Sequence, residues 1–265
     1  MFDAVPLWML FLGTVLLVLG STEVGYRAGR ASHRATPDEK SSSASGASGA
    51  VLGLTAFMLA FAFGAVSSRF DARKELVRDD ANAIRTAWAR ADFLPDADRA
   101  MSKRLLQRYL DERIAFAQGT DFSPELMDEQ RRASEDVLGK LWNIAVINAR
   151  KDMNSDVAAL YIESLNDVAS LNATRIAVGG QMRLPSVVWI MLIGLTALGM
   201  MAAGYHTGID ESQRSRIGVV LALAFAGVIV MLGALDRPHG FLRVTQQPLM
   251  DLRDAITLAA KPPGS

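Results

Sequence analysis

The chain contains no cysteine among its 265 residues. Disulfide bonds, thiolate metal ligands and cysteine nucleophiles are therefore excluded. Histidine is nearly as scarce, and His33, His206 and His239 match no metal-ligand spacing. The sequence also has no glycine-rich phosphate loop and no nucleophile-elbow motif. We predict a protein that is not an enzyme and that has no catalytic residue, metal or other cofactor.

Neither sign of charge is in excess. The 28 Lys and Arg residues balance 28 Asp and Glu residues. The most polar stretch, residues 69–184, has 18 basic and 19 acidic side chains. A nucleic-acid-binding domain would show a basic excess. Nucleic acid is therefore not an expected partner.

Charged side chains are missing altogether from four segments of the chain. These apolar segments cover residues 6–20, 50–68, 185–204 and 217–235. Each has roughly 15 to 20 residues, close to the length that crosses the hydrocarbon core of a bilayer. The sequence therefore predicts four transmembrane helices, with the lipid bilayer as their surroundings.

No stretch alternates with the period of a β-strand, so we expect an all-α membrane protein. Its extramembrane helical bundle is predicted to be inserted between spans 2 and 3. Ser123 and Pro124 are a helix start signal within that bundle, and Pro95 is expected to end a helix before Asp96 or Asp98 caps the next. Apolar residues at helical spacing predict the inner faces of the bundle, including Val77, Ala81, Ile84, Trp88, Leu106, Leu110, Val137, Leu141, Leu160, Leu165, Val168 and Leu171.

Composition divides the chain into six parts. The residues at 36–49 are rich in Ser, Ala and Gly and predict a flexible linker. The predicted parts are a first transmembrane helix with a basic flank at 1–35, the linker at 36–49, a second transmembrane helix at 50–68, the extramembrane domain at 69–184, the third and fourth transmembrane helices at 185–235, and a tail at 236–265.

The second span carries two stripes with a four-residue repeat. Ala56, Ala60 and Gly64 form a small-residue stripe of the kind that lets membrane helices approach closely. A neighbouring stripe consists of Gly53, Phe57 and Phe61. If several copies of this helix surround an axis, the phenylalanines would form a hydrophobic constriction. Alternatively, they face lipid or pack against another span.

Ionisable and polar residues near the membrane edges are further candidates for function. Glu23 follows the first span, whereas Asp236 and Arg237 follow the fourth. We expect an interfacial ion pair or snorkelling side chains at these boundaries. Beyond the second span, the candidate residues for lining an aqueous vestibule are Asp79, Asp80 and Asn82. The alternative is a solvated helix face with Asn82 bonded inside the bundle.

The residues alone leave the orientation of the protein open. Arg27, Arg30 and Arg34 follow the first span, and no basic residue precedes it. The positive-inside rule applied to this span places the large domain outside the cell. The basic residues that flank all four spans, however, favour neither side.

Several short motifs of the sequence form a recognisable set. They are Glu23-Val-Gly-Tyr-Arg27, Val51-Leu-Gly-Leu with Phe57, Phe61 and Phe63, Ser68-Arg-Phe-Asp-Ala-Arg73, Asp80-Ala-Asn82-Ala-Ile84, Arg183-Leu-Pro185 before Trp189, Asp236-Arg237-Pro238-His-Gly240 and Arg243-Val-Thr-Gln-Gln-Pro248-Leu. Together they resemble the bestrophin-like family of bacterial membrane proteins, which are distant relatives of the bestrophin channels. The similarity extends from about residue 5 to residue 258, apart from the linker.

This resemblance implies a homopentamer in the bacterial inner membrane, with permeant ions as partners. The second helix of each subunit would line the pore, and the domain and both termini would be cytoplasmic. Phe57 and Phe61 fall where bestrophins carry a hydrophobic neck, and Gly53 takes a third neck position without an apolar side chain. The acidic calcium clasp of animal bestrophins has no counterpart in this tail, so no calcium site is expected.

Two functions from different classes follow. The first is an oligomeric ion channel, or channel-like protein, whose constriction lies on the second transmembrane helix. The alternative is a non-conducting membrane scaffold or sensor whose helical domain binds a protein partner.

Overall fold

A computed structural model describes residues 5–35, 41–119, 123–152, 154–181, 184–210, 217–237 and 242–259. Within these residues the protein is helical and has no β-strand. A short 3₁₀ turn, Ala91–Phe93, follows the second helix. The eight α-helices of the described residues are α1 (Leu7–Ala35), α2 (Ser41–Arg90), α3 (Asp96–Gln118), α4 (Pro124–Ala149), α5 (Asp156–Gln181), α6 (Ser186–Ile209), α7 (Ile217–Asp236) and α8 (Gln247–Ala259).

The chain forms two compact units. The first unit comprises Met1–Phe70 and Arg183–Leu242, and the second comprises Asp71–Met182 and Arg243–Ser265. Helix α2 contributes its first part to the first unit and its remainder to the second.

Four helices are long and apolar enough to cross a membrane. They are Leu7–Arg34, Ser45–Phe93, Ser186–Ile209 and Gly218–Asp236. The prediction of four apolar spans is thereby confirmed, and the chain is a membrane protein. The second of these helices is much longer than a bilayer requires because it continues beyond its apolar segment.

Helices α1 and α6 of the first unit approach so closely that glycine is required at their contact. A Cβ atom at Gly25 would overlap the carbonyl oxygen of Met201, and one at Gly29 would overlap that of Tyr205. Residue numbers increase in the same direction on both helices, so α1 and α6 are parallel.

The contact is reciprocal, because α6 also presents two glycines to α1. A Cβ at Gly204 would overlap the carbonyl oxygen of Thr22, and one at Gly208 would overlap that of Tyr26. Two small-xxx-small pairs therefore face each other, the arrangement that lets membrane helices pack backbone to backbone.

The second unit has its own apolar core. The prediction that Leu160 faces the core is wrong, because Leu160 is 40% exposed and its neighbour Tyr161 is buried. The residues predicted as a tail include α8, which buries Leu249, Leu252 and Ile256 in this core. The predicted inner positions that are buried in it are Val77, Ala81, Ile84, Leu106, Leu110, Val137, Leu141, Leu165 and Val168.

Several helix boundaries follow the sequence signals and others do not. Ser123 caps α4 by accepting a hydrogen bond from the Leu126 amide at 3.4 Å, which confirms the predicted start. Pro95, and neither Asp96 nor Asp98, occupies the N-cap position of α3. The proline side chain has no hydrogen-bond acceptor, so no side-chain cap forms.

The linker predicted at 36–49 is wrong for its second part. Helix α2 begins at Ser41, so residues 41–49 are helical, while residues 36–40 lie outside the described residues. Adding a residue to an existing helix costs far less than nucleating a new one, so the long apolar helix extends backwards through Ser and Ala. Arg183 and residues 238–240 of the family motifs also lie outside the described residues.

Candidate functional site

The phenylalanine stripe of α2 is uncovered in the single chain. Phe57 is 66% exposed and Phe61 is 64% exposed. A Cβ added at Gly53, which continues this stripe, would meet no atom within 4 Å. The structure therefore aligns the three residues on one open face of the helix. Their function as a constriction stays a prediction.

The opposite face of α2 packs within the first unit. Leu59, Ala62 and Val66 are buried in an apolar cluster with residues of α6 and α7. The Thr55 hydroxyl donates to the Leu195 carbonyl oxygen at 3.2 Å. These contacts leave the phenylalanine stripe on the side that faces away from the rest of its own unit.

The small-residue stripe lies beside the phenylalanines and is also open. Ala56, Ala60 and Gly64 are exposed, and a Cβ at Gly64 would meet no atom within 4 Å. The stripe therefore does not serve contacts within the described part of this chain. Its use between copies of the chain stays a prediction.

The three vestibule candidates lie in two different environments. Asp79 and Asn82 are on the surface of the second unit, and Asp79 lies 3.8 Å from the Arg78 guanidinium. The carboxylate of Asp80, in contrast, is completely buried. The vestibule hypothesis is therefore limited to Asp79 and Asn82. Asp80 differs because it falls on the apolar face of α2, three residues after Val77.

Asp80 is the centre of a buried polar cluster that joins three helices. Its Oδ2 atom accepts hydrogen bonds from Arg113 of α3, at 3.2 Å from Nε and 3.0 Å from Nη2. The same oxygen accepts from Nη1 of Arg175 on α5. Arg113 also donates from Nη1 to Oδ1 of Asn172, at 2.8 Å. We refer to these four residues as the Asp80 cluster.

The Asp80 cluster carries one more positive than negative charge. Burial and the charge of Arg113 both lower the pKa of Arg175, against the opposing effect of Asp80. The side chain of Arg113 is only 8% exposed and that of Arg175 is 20% exposed. One carboxylate cannot neutralise two guanidinium groups, so one positive charge remains in surplus, and Arg175 is the more accessible of the two cations.

Tyr109 packs against this cluster, with its ring 5.0 Å from the Arg113 guanidinium carbon. Burial raises the pKa of Tyr109 from 10.0 to about 12. Neither the Tyr109 hydroxyl nor Oδ1 of Asp80 has a hydrogen-bond partner among the described residues. A buried hydroxyl without a partner opposes folding, so the Tyr109 ring stabilises this region and its oxygen does not.

Substitution of Tyr109 by phenylalanine should remove a component of alkaline unfolding. Above pH 10 the unfolded chain releases the Tyr109 proton, whereas the folded chain holds it to about pH 12. The free energy of unfolding therefore falls as pH rises through this window, by about 1.4 kcal/mol per pH unit for this group. Denaturant unfolding at several pH values would measure the slope. An identical slope in Tyr109→Phe would contradict the prediction.

The Asp80 cluster was not predicted, although the sequence contains a signal for it. Each charged member falls on a predicted inner face: Asp80 precedes Ile84 by four residues, Arg113 follows Leu110 by three, and Arg175 follows Leu171 by four. Charges on the apolar faces of three different helices of one bundle indicate mutual pairing, because an unpaired buried charge is too costly.

The boundary residues bind in three different ways. Glu23 forms an ion pair with Arg27, with 2.7 Å between Oε1 and Nε. Asp236 is buried at the end of α7, where its Oδ1 accepts from the Leu184 amide at 2.9 Å, just before α6. Arg237 donates to the carbonyl oxygen of Val5 at 2.6 Å, just before α1. The end of α7 is thus bonded to the residues that precede α6 and α1.

Within the described residues, no group of three or more His, Asp or Glu side chains is arranged to hold a metal ion.

Comparisons with known proteins agree with the motifs. The family model of the bestrophin-like domain matches residues 9–249. The fold is similar to a crystal structure of a bacterial bestrophin homologue from Klebsiella pneumoniae, phased by Zn-SAD. The TM-score is 0.61 at 16% sequence identity, over 95% of this chain and 96% of that chain. No curated protein matches the chain.

A second crystal structure of a Klebsiella pneumoniae bestrophin homologue carries an aspartate-to-alanine mutation. It is similar with a TM-score of 0.55 at 14% identity, over 97% of this chain and 99% of that chain. These likenesses show a shared fold over nearly the full length of both proteins. Because the family model covers most of the sequence, the chain belongs to the bestrophin-like family.

Proposed function

We propose that this protein is an oligomeric ion channel, or a channel-like membrane protein, with its constriction at Phe57 and Phe61. The observation that carries the proposal is the open face of α2. Two phenylalanines one turn apart are each about two-thirds exposed, while the opposite face of the helix is packed in its own unit.

The neighbouring small side chains support an oligomer around α2. Ala56, Ala60 and Gly64 are exposed beside the phenylalanines, and small side chains allow close helix contact in a membrane. If this stripe contacts the next copy of α2, Phe57 and Phe61 turn toward the common axis. A ring of phenylalanines repels water and closes a pore by dewetting. Gly53 lies one turn before Phe57 and has no side chain, so the pore would be wider at that level.

The second unit is proposed as an extramembrane bundle inserted between spans 2 and 3. Asp79 and Asn82 on its surface would then line an aqueous vestibule. By analogy with bestrophins, we place this bundle and both termini in the cytoplasm, with five subunits in the inner membrane of a bacterium. Imaging of detergent-purified particles tests the oligomer: a five-fold ring supports the axial pore, and a monomer or dimer excludes it.

Shortening both phenylalanines should open the constriction. In proteoliposomes, Phe57→Ala with Phe61→Ala is expected to raise ion flux several-fold, because the dewetted ring becomes wider and less apolar. Phe63→Ala is the matched control: it makes the same change on the same helix, at a residue that is only 37% exposed. Equal flux in the wild type, the double variant and the control would rule out a neck at these residues.

The scaffold hypothesis has one supporting observation. Phe93 and Trp142 of the second unit are 52% and 42% exposed, as a protein-docking surface would require. Cross-linking in cells tests this alternative. A stoichiometric partner other than the chain itself, together with the absence of ion flux in proteoliposomes, would favour a scaffold over a channel.

A further inference from the structure

The Asp80 cluster makes directional hydrogen bonds that apolar side chains cannot form. Three N–H groups from two arginines converge on a single oxygen of Asp80, and Arg113 also holds Asn172. Buried ion pairs of this kind are often matched in stability by apolar residues of similar volume. The bonded charges instead restrict the helices to one arrangement, because moving one partner away would leave a buried charge unpaired.

Two of these bonds connect α5 to the cluster. Arg175 of α5 binds Asp80 of α2, and Asn172 is connected to Asp80 through Arg113. Further along the same antiparallel pair, Arg90 donates to the Leu160 carbonyl oxygen at 2.6 Å and to Glu163 at 2.9 Å. A slip of α5 by one helical turn would move Arg175 by about 5.4 Å and separate it from Asp80.

The apolar part of this contact discriminates less between registers. Val168 and Leu165 of α5 pack in the same core as Val77, Ala81 and Ile84 of α2. Aliphatic side chains at helical spacing present similar surfaces after a shift of one turn. Apolar packing alone therefore favours one register of α5 on α2 only weakly over the next. The exposed pair of Arg90 and Glu163 is screened by solvent and contributes little.

We propose that Arg175 and Asn172 are positioning residues that fix the register of α5 on α2 through Asp80. This register lies within the second unit and does not depend on the proposed channel function.

The absence of cysteine in the chain permits a direct test by cross-linking. Cysteine is introduced at Arg90 and, in separate proteins, at Glu163, Ala159 or Asp167. The last two lie one turn to either side of Glu163, and all three α5 positions are exposed. A short bifunctional thiol reagent then reports the register. The substitutions also remove the Arg90–Glu163 pair, while the Asp80 cluster still links α5 to α2.

In the otherwise wild-type chain, cross-linking of Arg90→Cys to Glu163→Cys should exceed the two displaced pairs by roughly tenfold, the ratio expected for one well-favoured register. Adding Asn172→Leu and Arg175→Met should bring the three yields close to parity. Asp80 remains paired with Arg113 in this variant, so a folded protein is expected, with a lower melting temperature because Nη1 of Arg113 loses its acceptor on Asn172.

A control pair lies in the same unit but does not involve α5. Asp92 and Lys103 form an ion pair of 2.6 Å between the 3₁₀ turn and α3. Cross-linking of Asp92→Cys to Lys103→Cys should stay unchanged in every variant. An unchanged preference for Glu163→Cys in the Asn172→Leu/Arg175→Met variant would overturn the proposal.

If the Asn172→Leu/Arg175→Met variant loses the control cross-link, it is unfolded. The single variant Arg175→Met then provides the test of the proposal. That single change keeps the bond from Arg113 to Asn172 and should weaken the Glu163→Cys preference partially; an undiminished preference overturns the proposal. Ion flux of the same variants, with Arg90 and Glu163 restored, separates the two hypotheses. A lost register in a chain that never conducts supports the positioning residues and counts against the channel.

Discussion

Replacement of Asp80 by alanine is expected to destabilise the second unit by about 3 to 5 kcal/mol, the usual cost of removing one partner from a buried ion pair. The substitution leaves two arginines without their shared carboxylate. Arg113 is almost fully buried and cannot turn to water. Denaturant unfolding of the detergent-purified protein, followed by tryptophan fluorescence, would measure the loss.

The neighbouring residue provides the matched control. Asp79→Ala makes the same chemical change one position earlier, at a carboxylate that is 43% exposed. It should alter the free energy of unfolding by less than about 0.5 kcal/mol. A triple variant that replaces Asp80 by Leu and both arginines by Met should remain close to wild-type stability. Equal stability of Asp80→Ala and Asp79→Ala would refute the argument.

Adding one methyl group to the glycines between α1 and α6 should separate these two helices. In Gly25→Ala and Gly29→Ala the new carbon overlaps the carbonyl oxygen of Met201 or Tyr205. Backbone atoms cannot rotate away as a flexible side chain does, so a helix has to move. We expect a loss of about 1 to 3 kcal/mol for each substitution, and more for the pair. Thermal unfolding in detergent measures it.

Another glycine of the same unit separates this clash from the general effect of alanine. Gly20 is on the same helix, and a Cβ there would meet no atom within 4 Å. Gly20→Ala should be neutral or slightly stabilising, because alanine is the better helix former. If Gly25→Ala is as stable as Gly20→Ala, then the two helices are not in backbone contact.

The parts of the fold that depend on a single segment could be predicted from the sequence. A span needs only length and freedom from charge, and the inner face of a helix needs only a repeat, as for Val77, Ala81 and Ile84. Leu160 shows a misapplied repeat. Tyr161 precedes Leu165 by four residues and Val168 by seven, so helical spacing places Tyr161, and not Leu160, on the inner face.

The parts that depend on two distant segments were not predicted. Gly25 and Gly204 are each unremarkable in their own helix, and their importance arises only from the pairing of α1 with α6. The Asp80 cluster likewise needs three helices to be assembled. The candidate constriction at Phe57 and Phe61 goes one step further, because a pore is a property of several chains together.

The backbone contact between α1 and α6 has a consequence for the order of assembly in the cell. Gly204 is synthesised about 180 residues after Gly25. At about 5 to 20 residues per second, the first span resides in the bilayer for roughly 9 to 36 seconds before its partner exists. During this time lipid or the insertion machinery covers the glycine face of α1. Arrival of the third span then displaces that temporary neighbour, so the first unit can close only late in translation.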